Sequence, residues 1–191
     1  TANPAHPDWE RVFPWIERHL GGRVVRRQRQ ARESGGRPAW FVDVDVQGRL
    51  VRTYVRGTRD AAFEYARIYT TEGESKVVDA LHRAGHPVPA VLGFCPDPPA
   101  ILMECVPGRD DFHAIRDDAQ RGALMRHFME ILVRQHALDP SLFAAAGLEP
   151  PSSPEGFALD DLRVWERAYE LGRSEAVPMI TFTCAWVRRH A

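Results

Sequence analysis

Two stretches of alternating hydrophobic and polar residues give the clearest structural signal in the chain. In residues 39–46 valines alternate with aspartates, and in residues 50–56 Val and Thr alternate with Arg and Tyr. A period of two residues places alternate side chains on opposite faces of a β-strand. Gln47-Gly48 between the stretches turns the chain back, so the two are predicted to be partner strands.

The first part of the chain is predicted to contain a helix followed by a basic strand. Residues 9–20 show helical spacing, and Gly21-Gly22 ends that pattern. Pro14 falls inside the run, so the helix is expected to begin late or to break there. Residues 23–32 are extended and basic. The apolar face of the helix comprises Trp9, Val12, Phe13, Ile16 and Leu20.

The stretch 72–108 contains a helix, a proline break, a strand and a joint. An amphipathic helix with Val77, Leu81 and Ala84 on one face is closed by Gly85 as its C-cap. A Pro-Val-Pro sequence at 87–89 then forces an extended exit. An apolar strand at 100–103 leads into a Pro-Gly break at 107–108, which is typical of a joint between two lobes.

After this joint the periodicity is helical only. Helices are predicted over residues 117–138, 159–171 and 179–191, with a loop at 150–154 and a further short helix at 60–69. Asp117 is expected to cap the first of these, with Gln120 three residues on. Strands followed by helices indicate an α+β protein. The predicted lobes are residues 1–106, with an antiparallel sheet and a packed helix, and residues 107–191, the start of a helical lobe.

Composition narrows the range of partners and compartments. The 191 residues are 44% hydrophobic and 27% charged, with a net charge of -1, so no bulk charge favours nucleic acid or an anionic membrane. No apolar run approaches the roughly 20 residues that span a bilayer. The 3 cysteines are widely spaced. That pattern is typical of a reduced compartment and predicts a cytoplasmic protein.

Several sequence features favour a structural interpretation over a chemical one. His82 and His86 lie four residues apart but straddle a helix end without a carboxylate at ligand spacing, so no metal site is predicted. His136 lies on the apolar series of its helix and is expected to be a core histidine. The arginines of residues 23–32 have no interleaved aromatics, and a solvated strand face is favoured over a nucleic-acid site.

Three features admit both a catalytic-site and a structural interpretation. Ser34-Gly35-Gly36 could let backbone N–H groups approach a phosphate, or it could be a plain hairpin turn. Arg56 ends a strand and could face Glu74 at the start of a helix, an arrangement that kinases use to hold phosphates. Alternatively, Arg56 is a solvated edge residue, and Glu74 closes a capping box that begins at Thr71.

The order of these features resembles the N-terminal half of the aminoglycoside phosphotransferase-like family, whose fold is related to that of protein kinases. The resemblance covers residues 9–190. It is carried by Ser34-Gly35-Gly36, Tyr54-Val55-Arg56-Gly57, Glu74, the sequence ALHRAGHPVP at 80–89, the sequence ILMECVPG at 101–108 and the sequence LVRQHALDP at 132–140.

The resemblance implies a role for each of the matching residues in binding ATP. Ser34, Gly35 and Gly36 would form the loop over the phosphates. Arg56 would replace the strand lysine that holds them, with Arg52, on the same strand face, as the alternative if the register differs. Glu74 would pair with that arginine. The hinge that hydrogen-bonds adenine would be Glu104, Cys105 and Val106.

The sequence departs from the family pattern in three respects, one of which is the arginine at position 56 in place of the family's lysine. Arg37-Pro38 stands where small polar residues are common. The His-Gly-Asp catalytic loop and the metal-binding Asp motif do not occur in these residues and are expected downstream of Ala191. The implied protein is an ATP- and Mg²⁺-dependent phosphotransferase with a hydroxylated acceptor.

Because these 191 residues lack the catalytic loop, the chain is expected to be inactive alone and to self-associate through exposed apolar surface. The alternative is a non-catalytic binding module that has a kinase-like N-lobe.

Overall fold

The computed structural model describes residues 7–30, 37–58, 70–109, 111–148, 151–172 and 174–190. The helix predicted at 60–69 lies outside these ranges. The strands are β1 (Arg23–Arg29), β2 (Ala39–Val46), β3 (Arg49–Gly57), β4 (Val91–Pro96) and β5 (Pro99–Glu104). The helices are α1 (Val12–Leu20), α2 (Thr71–Arg83), α3 (Asp118–His136), α4 (Ser141–Ala145), α5 (Pro154–Gly172) and α6 (Pro178–His190).

The strands form one 5-stranded antiparallel sheet in the order β1-β2-β3-β5-β4. The predicted pairing of β2 with β3 is confirmed, with Val42 opposite Thr53. The turn between them has positive φ angles at Gln47 (55°) and Gly48 (82°), which suits the twist of a two-residue hairpin. All strands precede all of the helices α3 to α6, so the predicted α+β class is confirmed.

Helix α1 covers one face of the sheet and forms the main core with it. Ile16 and Val12 are fully buried against Val42 and Val55. Burial of each such side chain contributes about 1.5–3 kcal/mol. Pro14 does not break the helix, because α1 begins at Val12 and the third residue of a helix has no intrahelical acceptor for its amide.

Helix α2 lies on the opposite face of the sheet, where it packs against β4 and β5. Its buried residues include Ala80 and Leu81. Gly85 follows the helix with a φ of 74°, as the C-cap prediction required. Ala84 was expected on the buried face but is exposed, because the helix ends at Arg83 and Ala84 already belongs to the turn.

Strand β4 was not predicted from the sequence. Its sequence, VLGFCP, has Gly93 in the middle and a register irregularity between Val91 and Gly93, so the period-two pattern is interrupted. Gly93 is needed there because a Cβ atom would lie 2.4 Å from the His19 ring. Tertiary packing against α1 therefore determines this strand more than its own periodicity does.

The helices after β5 expose much of their apolar surface. Asp117 caps α3 as predicted, accepting a hydrogen bond of 2.8 Å from the Gln120 amide. The predicted apolar stripe of α3 is not buried, since Leu124 is 44% and Phe128 56% exposed. His136 is exposed, so the expectation of a core histidine is wrong: the stripe it continues is itself uncovered. None of the described helices combines the length and apolarity needed to cross a membrane.

Two glycine substitutions should have opposite effects on stability, one in the packed sheet and one in the exposed helix α3. Gly57→Ala would place a Cβ atom 2.1 Å from the Trp9 ring, and we expect a loss of about 1–3 kcal/mol in unfolding free energy. Gly122→Ala in α3 has only a flexible Arg126 nitrogen nearby, at 3.6 Å, and should stabilise by up to about 1 kcal/mol. Urea unfolding measures both, and equal effects would contradict this packing.

Candidate functional site

The contact between Arg56 and Glu74 joins the sheet to α2. Strand alternation turns Val55 towards α1 and the next residue, Arg56, towards α2. There a guanidinium nitrogen of Arg56 contacts the Glu74 carboxylate, and each side chain is 26% exposed. The ion pair predicted from the sequence is therefore present, and Arg56 rather than Arg52 makes it.

Thr70, not Thr71, caps helix α2. The Thr70 hydroxyl accepts a hydrogen bond of 2.9 Å from the Gly73 amide, so Gly73 occupies the position that a capping box gives to Glu. The capping-box interpretation of Thr71 with Glu74 is wrong by one residue. Glu74 lies one position further into the first turn, and its side chain reaches the sheet.

A second arginine contacts the same carboxylate. Arg37 Nη1 donates a hydrogen bond to Oε2 of Glu74. Arg56 contacts the other carboxylate oxygen, Oε1. Sequence reasoning missed this contact, although Arg37 had been noted as a departure from the family pattern. Arg37 immediately follows Ser34, Gly35 and Gly36, which lie outside the described residues.

Arg52 lies on the same sheet face as Arg56 but nearer the end of β5. It borders an open groove of about 320 Å³ whose other lining residues are Arg26, Gln28, Phe41, Asp43 and Cys105. Phe41 and Tyr54 form a ring pair on this face, with centroids 5.3 Å apart. The groove thus has one flat aromatic wall and lies between the paired strands β1 and β2 and the residues that follow β5.

The three predicted hinge residues lie at the end of β5. The Glu104 amide donates to the Ala90 carbonyl at 2.9 Å, and the Cys105 amide donates to the Arg52 carbonyl at 3.2 Å. Two of the three hinge amides are therefore used within the protein. The Val106 side chain is 60% exposed, and its backbone lies just beyond the sheet.

A second groove, of about 530 Å³, lies beyond the hinge. Arg109, Asp111, Phe112, Ala114, Ile115, Arg116, Gln120 and Leu124 line it. The Arg109 guanidinium hydrogen-bonds Asp111, and this lowers the pKa of the Asp111 carboxyl. Within the described ranges, no three His, Cys, Asp or Glu side chains converge as metal ligands, so no Mg²⁺ ligand is assigned to them.

Comparison with known proteins identifies the family. The model of the phosphotransferase enzyme family matches residues 28–187. The chain belongs to this family. The match begins in β1 and ends in α6, so in this phosphotransferase family member it includes Arg37, Arg56, Glu74 and the predicted hinge residues 104–106.

Individual relatives are similar at low identity. Acyl-CoA dehydrogenase family member 11 of Rattus norvegicus is 25% identical over 98% of this chain but over 25% of its own length. Acyl-CoA dehydrogenase family member 10 of Mus musculus is 25% identical over 64% of the chain and 12% of its own length. The chain therefore spans a quarter or less of these relatives.

A solved structure supports the fold. The crystal structure of a candidate aminoglycoside phosphotransferase from Ralstonia eutropha JMP134 has a TM-score of 0.56 and 21% identity. The match covers 96% of this chain and 54% of that one. The kinase-like fold predicted from the sequence is confirmed by this similarity.

Replacing the shared carboxylate should destabilise the fold measurably. Glu74→Gln leaves two partly buried guanidiniums without their anion, so we expect a loss of about 1–3 kcal/mol in unfolding free energy. Glu72→Gln is the matched control in the same helical turn. The Glu72 side chain is 59% exposed, and within the described residues its ion pair is with Lys76. We therefore expect Glu72→Gln to lower the unfolding free energy by about 0.5 kcal/mol or less. Similar losses in both variants would show that Glu74 has no special role.

Proposed function

We propose that the whole protein is an ATP-dependent phosphotransferase that phosphorylates a hydroxyl group of a small molecule. The contact of Arg56 with Glu74 carries this proposal, because it joins a strand arginine to a helix carboxylate in a chain of the phosphotransferase family. In kinases the corresponding pair positions the nucleotide phosphates. The two lobes would be residues 1–106 and 107–191, with the nucleotide held at the first.

Each predicted site residue has a physical task in this proposal. Arg56 would donate hydrogen bonds to the phosphates, and Glu74 would hold the guanidinium in the orientation that this requires. Ser34, Gly35 and Gly36 would form the turn that covers the phosphates. The turn joins β1 to β2, and β2 lies beside the strand that carries Arg56.

The adenine would lie at the hinge, in the groove that Phe41 borders. Since the amides of Glu104 and Cys105 already donate within the sheet, the donor to adenine would be the Val106 amide. The Cys105 thiol borders the groove and would lie close to the base. The Phe41 ring would offer a flat apolar surface to the purine, and the Val106 amide would fix its orientation.

In the proposed reaction the acceptor hydroxyl oxygen forms a bond to the γ-phosphorus as the bond to the ADP oxygen breaks, and the hydroxyl proton leaves to a base. Catalysis of this transfer depends on positioning and on charge stabilisation. Mg²⁺ would neutralise phosphate charge when bound. Arg56, Glu74 and residues 104–106 would supply the nucleotide side of this geometry.

We further propose that the 191-residue chain binds nucleotide but does not turn it over alone. The sequence contains no His-Gly-Asp loop to orient the acceptor hydroxyl. The same observation favours the second candidate, a non-catalytic binding module. To distinguish the two, the 191-residue chain and any longer product of its reading frame are incubated with Mg²⁺, ATP and an acceptor panel. Turnover by the longer product alone supports the enzyme, and turnover by neither supports the module.

The acceptor panel follows from the relatives. It includes aminoglycosides, because the solved neighbour is described as a candidate aminoglycoside phosphotransferase, and hydroxyacyl-CoA thioesters, because the curated relatives are named acyl-CoA dehydrogenases. Turnover by the 191-residue chain itself would show that the active site has been misplaced.

Self-association of the 191-residue chain and a cytoplasmic location are also proposed. Large apolar side chains of α3, including Met125 at 48% and Val133 at 65% exposure, form a surface that a second copy could cover. The cysteines Cys95, Cys105 and Cys184 are all free thiols, which suits a reducing compartment. Sedimentation over a range of concentrations tests the first proposal, and a purely monomeric chain would contradict it.

Nucleotide should protect one cysteine from alkylation. Cys105 borders the proposed adenine groove, so we expect saturating ATP to slow the reaction of its thiol with iodoacetamide about tenfold or more. A tenfold change in rate corresponds to about 1.4 kcal/mol in activation free energy. Cys184 in α6 is the internal control, and its rate should not change. Peptide mass spectrometry reads both sites in one sample. Equal alkylation rates at Cys105 with and without ATP would show that adenine does not bind in this groove.

A further inference from the structure

We propose that Arg37 is a second phosphate-binding residue, which binds the polyphosphate of the nucleotide together with Arg56. This inference rests on the proposed function and adds to it a residue outside the strand-arginine and helix-glutamate pair. Arg37 occupies a position where the family often has a small polar residue, so its guanidinium introduces a cationic group that the resemblance did not predict.

The backbone brings Arg37 to the same place as Arg56. In the sheet, Ala39 of β2 lies opposite Arg56 of β3. The pairing continues beyond the strand, since the Gly57 amide donates to the Pro38 carbonyl at 2.9 Å. Arg37 is the next residue outward, between this pairing and the glycine turn. Its location is therefore fixed by the pairing of β2 with β3.

Glu74 aligns the two arginines. Arg37 contacts one carboxylate oxygen and Arg56 contacts the other, so both guanidiniums converge on one point of α2. Each guanidinium is a planar group with five N–H donors, the geometry that suits phosphoryl oxygens. The three side chains together carry a formal charge of +1, and each is 26% exposed, so an anion arriving from solvent can reach them.

A polyphosphate is the ligand class that matches this arrangement. Two guanidiniums held by a common carboxylate can each donate to different phosphoryl oxygens, and charge-assisted bonds of this kind are the stronger hydrogen bonds in proteins. An adenine ring or a neutral sugar would gain nothing from them. Because a polyphosphate offers each guanidinium its own phosphoryl group and AMP offers only one, we expect Arg37 to contribute much more to the binding of ATP and ADP than to that of AMP.

The alternative is a structural role in which Arg37 only ties the start of β2 to helix α2. Affinities for ATP, ADP, AMP and tripolyphosphate distinguish the two roles, measured by calorimetry on the 191-residue chain. Arg37→Gln should weaken ATP and tripolyphosphate binding about tenfold or more and change AMP binding by less than about twofold. Arg37→Lys should give an intermediate loss for ATP, because it retains the charge but not the planar fork.

Arg83→Gln is the matched control. It removes one arginine of α2 that pairs with Asp79, far along the helix from Glu74, and should leave all four affinities unchanged. Circular dichroism and thermal melting check that each variant is folded. If folded Arg37→Gln binds ATP as tightly as the unmodified chain, or loses ATP and AMP affinity equally, the inference is overturned while nucleotide binding stands. If the unmodified chain binds neither nucleotide nor tripolyphosphate, the proposed function and this inference are both overturned.

Discussion

The carboxylate of Glu74 is the constraint on which the arrangement of this chain depends. It accepts contacts from Arg56 of β3 and from Arg37 before β2, and so ties two strands to helix α2. A partly buried carboxylate is stable only when cations or donors satisfy it. The remaining elements make that possible: α1 buries the opposite sheet face and thereby turns Arg56, and not its neighbour Val55, towards α2.

This division of the sheet into two faces connects stability with function. The face under α1 is apolar and closed, and its fully buried residues include Val42 and Leu102. The other face bears the arginines, the Phe41 ring and the groove beside the hinge. Phosphoryl transfer depends mainly on positioning and charge, so a sheet with these arginines on one face suits the proposed nucleotide site.

The sequence predicted those elements whose side chains follow a simple period. The alternation of β2 and β3 predicted their pairing, and the resemblance to the phosphotransferase family predicted Glu74 of α2 as the partner of Arg56. Strand β4 was missed because Gly93 interrupts its pattern. The cap of α2 was misplaced because two threonines adjoin, and hydrogen-bond geometry alone distinguishes Thr70. The contact of Arg37 with Glu74 joins residues far apart in sequence, and no local pattern encodes it.

The most direct test of the account is a crystal structure of the chain with a non-hydrolysable ATP analogue. We expect phosphate oxygens within hydrogen-bonding distance of Arg56, which remains in contact with Glu74, and adenine against the Val106 amide. A nucleotide bound instead in the groove beyond the hinge, beside Arg109 and Arg116, would contradict the account, as would phosphates that make no contact with Arg56.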